Sequence, residues 1–435
     1  MKDLSKYVVT KELEDGIALL NTKNNFSVMV TNDLLAKMKN DSQTLNDYED
    51  YLSSNRFFPE ENEFEKMMEG VFSEEAETLR LTILTHGDCN FRCLYCYEKF
   101  ENIGMSRETM DNIVAFADKK LSSGNYKTLR ASWFGGEPLL GYKAIVYLSD
   151  KFQELTSKYQ LKYIADMTTN GYLLDERKFK VLVEDCKCTI YQITIDGNEE
   201  SHDQQRVLKN GHGSYRRIYD NLLKIQKTQL KCVVILRFNV SKVNYQNVQH
   251  FMIDEGLPFK NDRRFLMLYR NVGDWGQGER EEDYQVERLD KDIVYSFSLQ
   301  ALKFGYQLYE SYVNLSNQLA CYAQNPNNYT FSVRGKIMAC TVLLYDQVNL
   351  FGDVNQNLLN DEKRKKLWLH SLEKIPEDCR NCEIVSVCKG GACPKLVLAD
   401  HWTQERICQK SKMNFEQNFD LFCRQNLYKV VLDVE

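Results

Sequence analysis

The chain has 435 residues, more than one ordinary domain holds, so two or three domains are expected. Hydrophobic residues make up 43% and aromatics 12%, enough for a large packed core, which excludes a mostly disordered chain. A net charge of −6 with both signs interspersed excludes a nucleic-acid binder that works by neutralising phosphates, and no nucleic-acid partner is expected.

The first residues, MKDLSKYVVTKELEDG, break their apolar run with charges and do not read as a signal peptide. No run of about 18 apolar residues exists, so no membrane span is expected. Fourteen cysteines without a secretion signal point to a reducing cytoplasm. Clustered cysteines there are metal ligands or redox groups more often than disulfides.

Residues 1–78 read as a small α+β module. GIALL and FSVMV flank NTKNN as a hairpin, and Phe64, Met67, Met68, Val71 and Phe72 share one face of a helix. From Leu79 strands and helices alternate. LRLTILTH is a strand, and Ser106 caps a helix whose Met110, Ile113, Val114, Ala117 and Leu121 share a face. LRASWFGG, KYIADMTTNG, CTIYQITIDG, KCVVILRFNV and RRFLMLYR are five further strands. Helices are expected near 142–159, 175–185, from Ser214 to about 228, and near 243–255. Six β/α units in order imply a parallel sheet curled into a partial (β/α)6 TIM-like barrel over residues 79–272. The chemistry of such barrels sits at the C-terminal ends of the strands. NVGDWGQGEREED is glycine-rich and charged; residues 273–320 read as a linker followed by a helix near 285–310. Residues 321–435 form a cysteine-rich C-terminal region.

HGDCNFRCLYCYEKF, just after the first barrel strand, gathers Cys89, Cys93 and Cys96 in eight residues. Structural zinc wants four closed ligands, whereas a cubic iron–sulfur cluster can be held by three thiolates with one iron left open. A zinc site completed by a distant cysteine or by His86 stays open on spacing alone.

C-x3-C-x2-C with Tyr95 before the last cysteine resembles the signature of the radical S-adenosylmethionine (SAM) enzymes. GGEP (135–138), TTNG (168–171) and TIDG (194–197) then follow strands two, three and four in that family's order, and Arg206 lies ten residues after Asp196. The resemblance covers residues 80 to 270. It implies a 4Fe–4S cluster on the three cysteines, with its open iron bound by the amino and carboxylate groups of SAM. It places Gly135, Gly136 and Glu137 near the SAM amine, Tyr95 near the adenine, Thr194 near the ribose and Arg206 on the SAM carboxylate. Arg237 and Asn239 project from the fifth strand on one face, toward the cavity or into a structural pair.

Seven later cysteines suffice for two zinc or two iron–sulfur sites. Their order resembles the SPASM domain, which carries two auxiliary 4Fe–4S clusters and would bring the total to three. That pattern assigns Cys321, Cys340 and Cys393 to the first and Cys379, Cys382, Cys388 and Cys408 to the second. CKGGAC departs from it, with four residues between Cys388 and Cys393 where the family has three. Cys186, Cys188, Cys232 and Cys423 read as buried thiols.

SPASM enzymes act mostly on peptides or proteins. The sulfatase maturases among them have an Asp base directly after the cysteine of G-x4-C; this chain has Thr341 after Cys340. The resemblance therefore implies a maturase of ribosomally made peptides that forms thioether or carbon–carbon cross-links. Its partners would be a precursor peptide with a leader, docked by residues 1–78, and an electron donor such as flavodoxin or ferredoxin. No residue is identified as the catalytic base. A sulfatase maturase and a zinc-rich scaffold are the competing readings.

Overall fold

The computed structural model describes residues 2–272, 291–309, 321–369, 374–391, 393–398, 401 and 403–426, the side chains of 70–76, 291, 292, 410 and 411 excepted. The glycine-rich stretch from 273, the remainder of the 273–320 linker and the first part of the helix expected near 285–310 lie outside these residues. The described chain forms two compact units. One contains residues 1–75, 310–325 and 368–435, and the other residues 76–309 and 326–367.

The first unit opens with three antiparallel strands in the order β1 (Val8–Leu13), β2 (Gly16–Asn21), β3 (Phe26–Thr31). Helices α1 (Asn32–Asn40), α2 (Ser42–Ser54) and α3 (Glu63–Ala76) follow. Thr31 and Asp41 accept N–H groups at the starts of α1 and α2, satisfying donors that have no helical partner. Alternation along the strands sends Leu19, Val28 and Val30 against Met38, Tyr48, Leu52 and Phe57. Ala18, Leu20 and Met29 on the other face meet Ile384, Phe415, Phe419 and Cys423 of the C-terminal region.

The second unit is built on six parallel strands. In chain order it contains β4 (Thr78–Leu84), β5 (Phe91–Cys93), α4 (Arg107–Ser123), β6 (Thr128–Phe134), α5 (Tyr142–Tyr159), β7 (Lys162–Thr169), α6 (Glu176–Glu184) and β8 (Cys188–Thr194). Then come α7 (Glu199–Gln205), β9 (Arg206–Leu208), α8 (Tyr215–Lys227), β10 (Val233–Val240), α9 (Tyr245–Ile253), α10 (Leu257–Lys260), β11 (Phe265–Asn271), α11 (Lys291–Lys303) and β12 (Gln307–Leu308). Strands β4, β6, β7, β8, β10 and β11 neighbour one another in that order and make the partial barrel. Their outer faces are apolar: Trp133 stacks on Phe152, Tyr191 meets Phe179 and Phe238 meets Phe251. Alternate residues such as Arg130, Ser132 and Asp166 stay half-buried on the concave face, where Arg130 and Ser132 donate to one Asp166 oxygen at 2.7 and 2.9 Å.

Residues after 325 extend this sheet. Strand β13 (Asn328–Phe331) pairs in parallel with β4, and β14 (Lys336–Met338), β15 (Leu350–Asp353) and β16 (Leu358–Leu359) add antiparallel strands. Helix α12 (Asp361–Leu367) locks the extension: buried Arg364 donates to the carbonyls of Pro326 and Asn328 at 2.9 and 2.7 Å and lies over the Tyr329 ring. The remaining helices, α13 (Val385–Cys388), α14 (Pro394–Leu398) and α15 (Gln404–Asn426), belong to the first unit.

The boundaries therefore differ from those read off the sequence. Residues 1–78 are not a self-contained module, because one face of their sheet is buried by α15. The region from 321 is divided, because residues 326–367 follow the hydrogen bonds of the barrel sheet. No helix among the described residues is long and apolar enough to cross a membrane.

Candidate active site

The three motif cysteines occupy the loop after β4. Strand β5 pins this loop by antiparallel pairing with β9, so that Phe91 faces Leu208 and Cys93 faces Arg206. Main-chain bonds from Leu94 to Gln205 (3.0 Å) and from Lys209 to Asn90 (2.8 Å) extend the ribbon. Asp88 anchors the start of the loop through ion pairs with Arg92 (2.8 Å) and Lys209 (3.0 Å), and accepts the Cys89 N–H. His86 spends Nδ1 on the Asp88 N–H at 3.0 Å.

GGEP holds the loop from the other side. Gly135 has φ +130°, and a Cβ there would stand 2.9 Å from the His86 carbonyl oxygen. A Cβ on Gly136 would stand 2.5 Å from the Asp88 carbonyl oxygen. Both glycines are thus required for the loop's own backbone to approach. Glu137 is fully buried, and its carboxylate accepts from Leu139 N–H (3.0 Å), Thr169 Oγ1 (2.6 Å) and Asn170 N–H (2.8 Å). It ties GGEP to TTNG, and most of its acceptor capacity goes to the protein itself. Asn170 continues the connection, donating to Asn90 Oδ1 at 2.8 Å and to Cys89 Sγ at 3.7 Å.

Tyr95 is the hub of a second network. Its hydroxyl donates to Asp196 Oδ2 and accepts from Arg206 Nη1 (2.7 Å) and Asn239 Nδ2 (3.0 Å). Asp196 Oδ1 accepts the Asn239 N–H at 2.9 Å. Burial works against the Arg206 charge, but Cys93, Tyr95 and Asp196 outweigh it and raise its pKa. Arg206 Nε is buried without a partner among the described residues, a donor suited to a carboxylate. Thr194 is buried at the end of β8, opposite Arg237.

The donor set fits an iron–sulfur cluster. Burial pushes the Cys89 thiol far up and Cys96 to about 12; burial also raises Cys93, with Arg206 opposing. Thiols placed this way become thiolates when a metal ligates them. Cys89 lies within electrostatic reach of Cys93 and Cys96. Among the described residues no three His, Cys, Asp or Glu side chains converge as a lone metal ion requires. A multi-iron cluster, with a separate iron for each thiolate, accepts wider spacing.

The later cysteines divide between the units. In the first unit, Cys379 lies within electrostatic reach of Cys388, Cys382 and Cys408, and burial with these neighbours raises its thiol. Cys393 is hydrogen-bonded by Cys321, which with the N–H groups of Leu396 and Lys395 holds its thiol below the ordinary cysteine value. Cys340 lies in the barrel unit just after β14, and the Tyr97 hydroxyl donates to the neighbouring Thr341 carbonyl at 3.2 Å. Cys186, Cys188, Cys232 and Cys423 are buried. Two site residues were not singled out from sequence: Asp196, although it stands inside TIDG, and Glu98. Glu98 is nearly buried two residues past Cys96, and burial with Glu137 nearby raises it to about 7.

Residues 83–253 match the model of the Radical SAM superfamily, the span that holds every one of these barrel motifs. The chain carries a radical SAM domain and is a radical SAM enzyme, a class that uses SAM and a 4Fe–4S cluster. Among curated proteins it is similar to the cysteine-type anaerobic sulfatase-maturating enzyme of Clostridium perfringens, 21% identical over 77% of this chain and 90% of that enzyme. The serine-type enzyme of Bacteroides thetaiotaomicron is 22% identical over 71% of this chain and 80% of that one. Among solved structures, anSMEcpe with bound AdoMet and the Cp18Cys peptide superposes with a TM-score of 0.59 at 21% identity, covering 81% of this chain and 100% of that one. Streptococcus suis SuiB bound to precursor peptide SuiA superposes with a TM-score of 0.53 at 14% identity, covering 94% of this chain and 100% of that one.

Proposed function

We propose that the chain matures a ribosomally made precursor peptide by forming an intramolecular thioether or carbon–carbon cross-link. Cys89, Cys93 and Cys96 would hold the SAM-binding cluster, and Arg206, steadied by Tyr95, would take the SAM carboxylate. Gly135, Gly136 and Glu137 would support this site by fixing the loop, and Thr194 would stand near the ribose. When bound, the cluster and SAM would supply the radical chemistry that breaks an unactivated C–H bond. The protein's part is to place that bond and exclude water. The seven later cysteines would hold two auxiliary clusters able to supply one-electron chemistry, and a flavodoxin or ferredoxin would be the electron-donating partner.

The observation that carries this reading is Thr341. Its hydroxyl stands directly after Cys340, where a sulfatase maturase has a carboxylate base, and its carbonyl is held by Tyr97. The N-terminal sheet supports a peptide substrate. Both its faces are covered, and β1 and β3 have one strand neighbour each among the described residues, so an outer edge is available to a leader added as a strand. The sulfatase-maturating relatives favour a second reading, oxidation of a sulfatase cysteine or serine to formylglycine.

Co-expression with short reading frames encoded beside the gene, followed by mass measurement of each peptide, tests the first reading. A loss of about two hydrogens per cross-link is expected. Unchanged neighbouring peptides together with conversion of a sulfatase peptide would favour the second.

A further inference from the structure

We propose that Arg237 anchors a carboxylate of the peptide substrate at the mouth of the barrel, so that the precursor carries an aspartate, a glutamate or its own C-terminal carboxylate beside the modified residue. This rests on the reading of the chain as a peptide maturase and names the substrate chemistry of that same site.

Alternation along β10 buries Val234, Leu236 and Phe238 against the outer layer and turns Arg237 and Asn239 to the concave face. There Arg237 Nε donates to Asn239 Oδ1 at 2.9 Å, and among the described residues this is the only hydrogen bond or ion pair of its guanidinium. Among the described residues, four of its five N–H donors have no protein acceptor. The carboxylate whose charge Arg237 feels, Asp196, has Oδ1 occupied by the Asn239 N–H and Oδ2 by the Tyr95 hydroxyl.

The surroundings add positive charge. Arg206 acts on Arg237 from the cosubstrate side. Arg270 faces Asn239 on β11, diagonal to Arg237 on the same face. Burial, with Arg237 next in effect, pushes Arg270 down to about 10; burial also lowers Arg237. A half-buried guanidinium among like charges calls for an anion, and a planar carboxylate matches its fork. Tyr95 and Tyr97, which flank Cys96, are within electrostatic reach of Arg237, so the anchor stands beside the cluster loop.

The test uses the full chain, anaerobically reconstituted with iron, sulfide and SAM. Fluorescein-labelled, amidated decapeptide pools fix Asp, Glu, Asn or Gln at one central position, and one further pool has Gln there with a free C-terminal carboxylate. Fluorescence anisotropy is expected to show the Asp, Glu or free-carboxylate pool bound about tenfold or more tighter than the amide pools, the effect of one charge-assisted contact. Which pool wins distinguishes a side-chain from a terminal carboxylate. In Arg237→Gln the ratio is expected to fall to near one. Arg237→Lys, a second variant if the first does not fold, should lose at least about threefold of the ratio, because an ammonium cannot form the forked pair. Equal binding of all pools by the wild type, or an unchanged ratio in the variants, would overturn the proposal. So would a tenfold loss of SAM affinity in Arg237→Gln with the ratio intact, which would assign Arg237 to the cosubstrate. Wild-type 5′-deoxyadenosine release, measured alongside, separates the two failures: its absence sinks the maturase reading, whereas its presence without acid preference sinks only this inference.

Discussion

Cys93 and Arg206 face each other as paired residues of the β5–β9 ribbon, although 113 positions separate them in the chain. The pairing fixes a metal-ligand candidate and a cosubstrate-binding candidate to one rigid element. It also explains why Arg206 keeps its charge under burial: Cys93, Tyr95 and Asp196 compensate the desolvation.

Tyr95 carries much of that arrangement. Tyr95→Phe keeps the ring but leaves Asp196 Oδ2 without its donor and Arg206 Nη1 without its acceptor. A buried group left unsatisfied costs about 1–3 kcal/mol. Chemical denaturation should show a loss of that size, and equilibrium dialysis should show weaker SAM binding. Full retention of both would mean that the ring alone matters.

Glu137→Gln tests whether GGEP is a structural clamp. The amide turns one acceptor oxygen into a donor that faces N–H or O–H donors on both sides. Stability without SAM should fall by about 1–3 kcal/mol. If Glu137 serves only the SAM amine, stability without SAM will be unchanged and only the SAM affinity will drop.

Gly136→Ala should spoil the cluster loop. The new methyl group would meet the Asp88 carbonyl, a backbone atom that cannot rotate aside. Iron and acid-labile sulfide per chain should fall after anaerobic reconstitution, with the deficit about one cluster. Full iron content would show that the loop can shift at little cost.

Two cysteines of the proposed quartet share a core with helix α3. Cys379 and Cys382 pack against a cluster containing Tyr7, Phe64, Met67 and Met68. If the quartet holds the proposed auxiliary cluster, Cys379→Ser should raise hydrogen exchange in residues 63–68 as well as around the quartet, because losing a metal centre loosens the core packed on it. Exchange confined to residues 379–408 would contradict this coupling.

The barrel was largely legible because each parallel strand is a compact apolar run followed by a helix with one apolar face. Helix α5 spans Tyr142–Tyr159, the range its pattern implies. Ser214 does precede α8, but its hydroxyl donates to the Arg206 carbonyl, and Asp203 accepts the N–H groups of Ser214 and Tyr215 instead. Strand β1 is not legible in the sequence because VVTKEL is half-exposed and charged. The β5–β9 ribbon was missed because three residues show no periodicity, and the β13–β4 pairing because its partners are some 250 residues apart. At the site, cysteine spacing and motif order single out the loop after β4. Nothing in the residue types announced that the Tyr95 hydroxyl would join three strand ends, because that depends on the register of β8 and β10.

The most direct test is anaerobic incubation of the reconstituted, dithionite-reduced full chain with SAM, with and without its precursor peptide. Chromatography should show 5′-deoxyadenosine and methionine released in equal amounts, and none from Cys93→Ala. A wild-type chain with its full iron content that leaves SAM intact, even beside the precursor, would contradict the account.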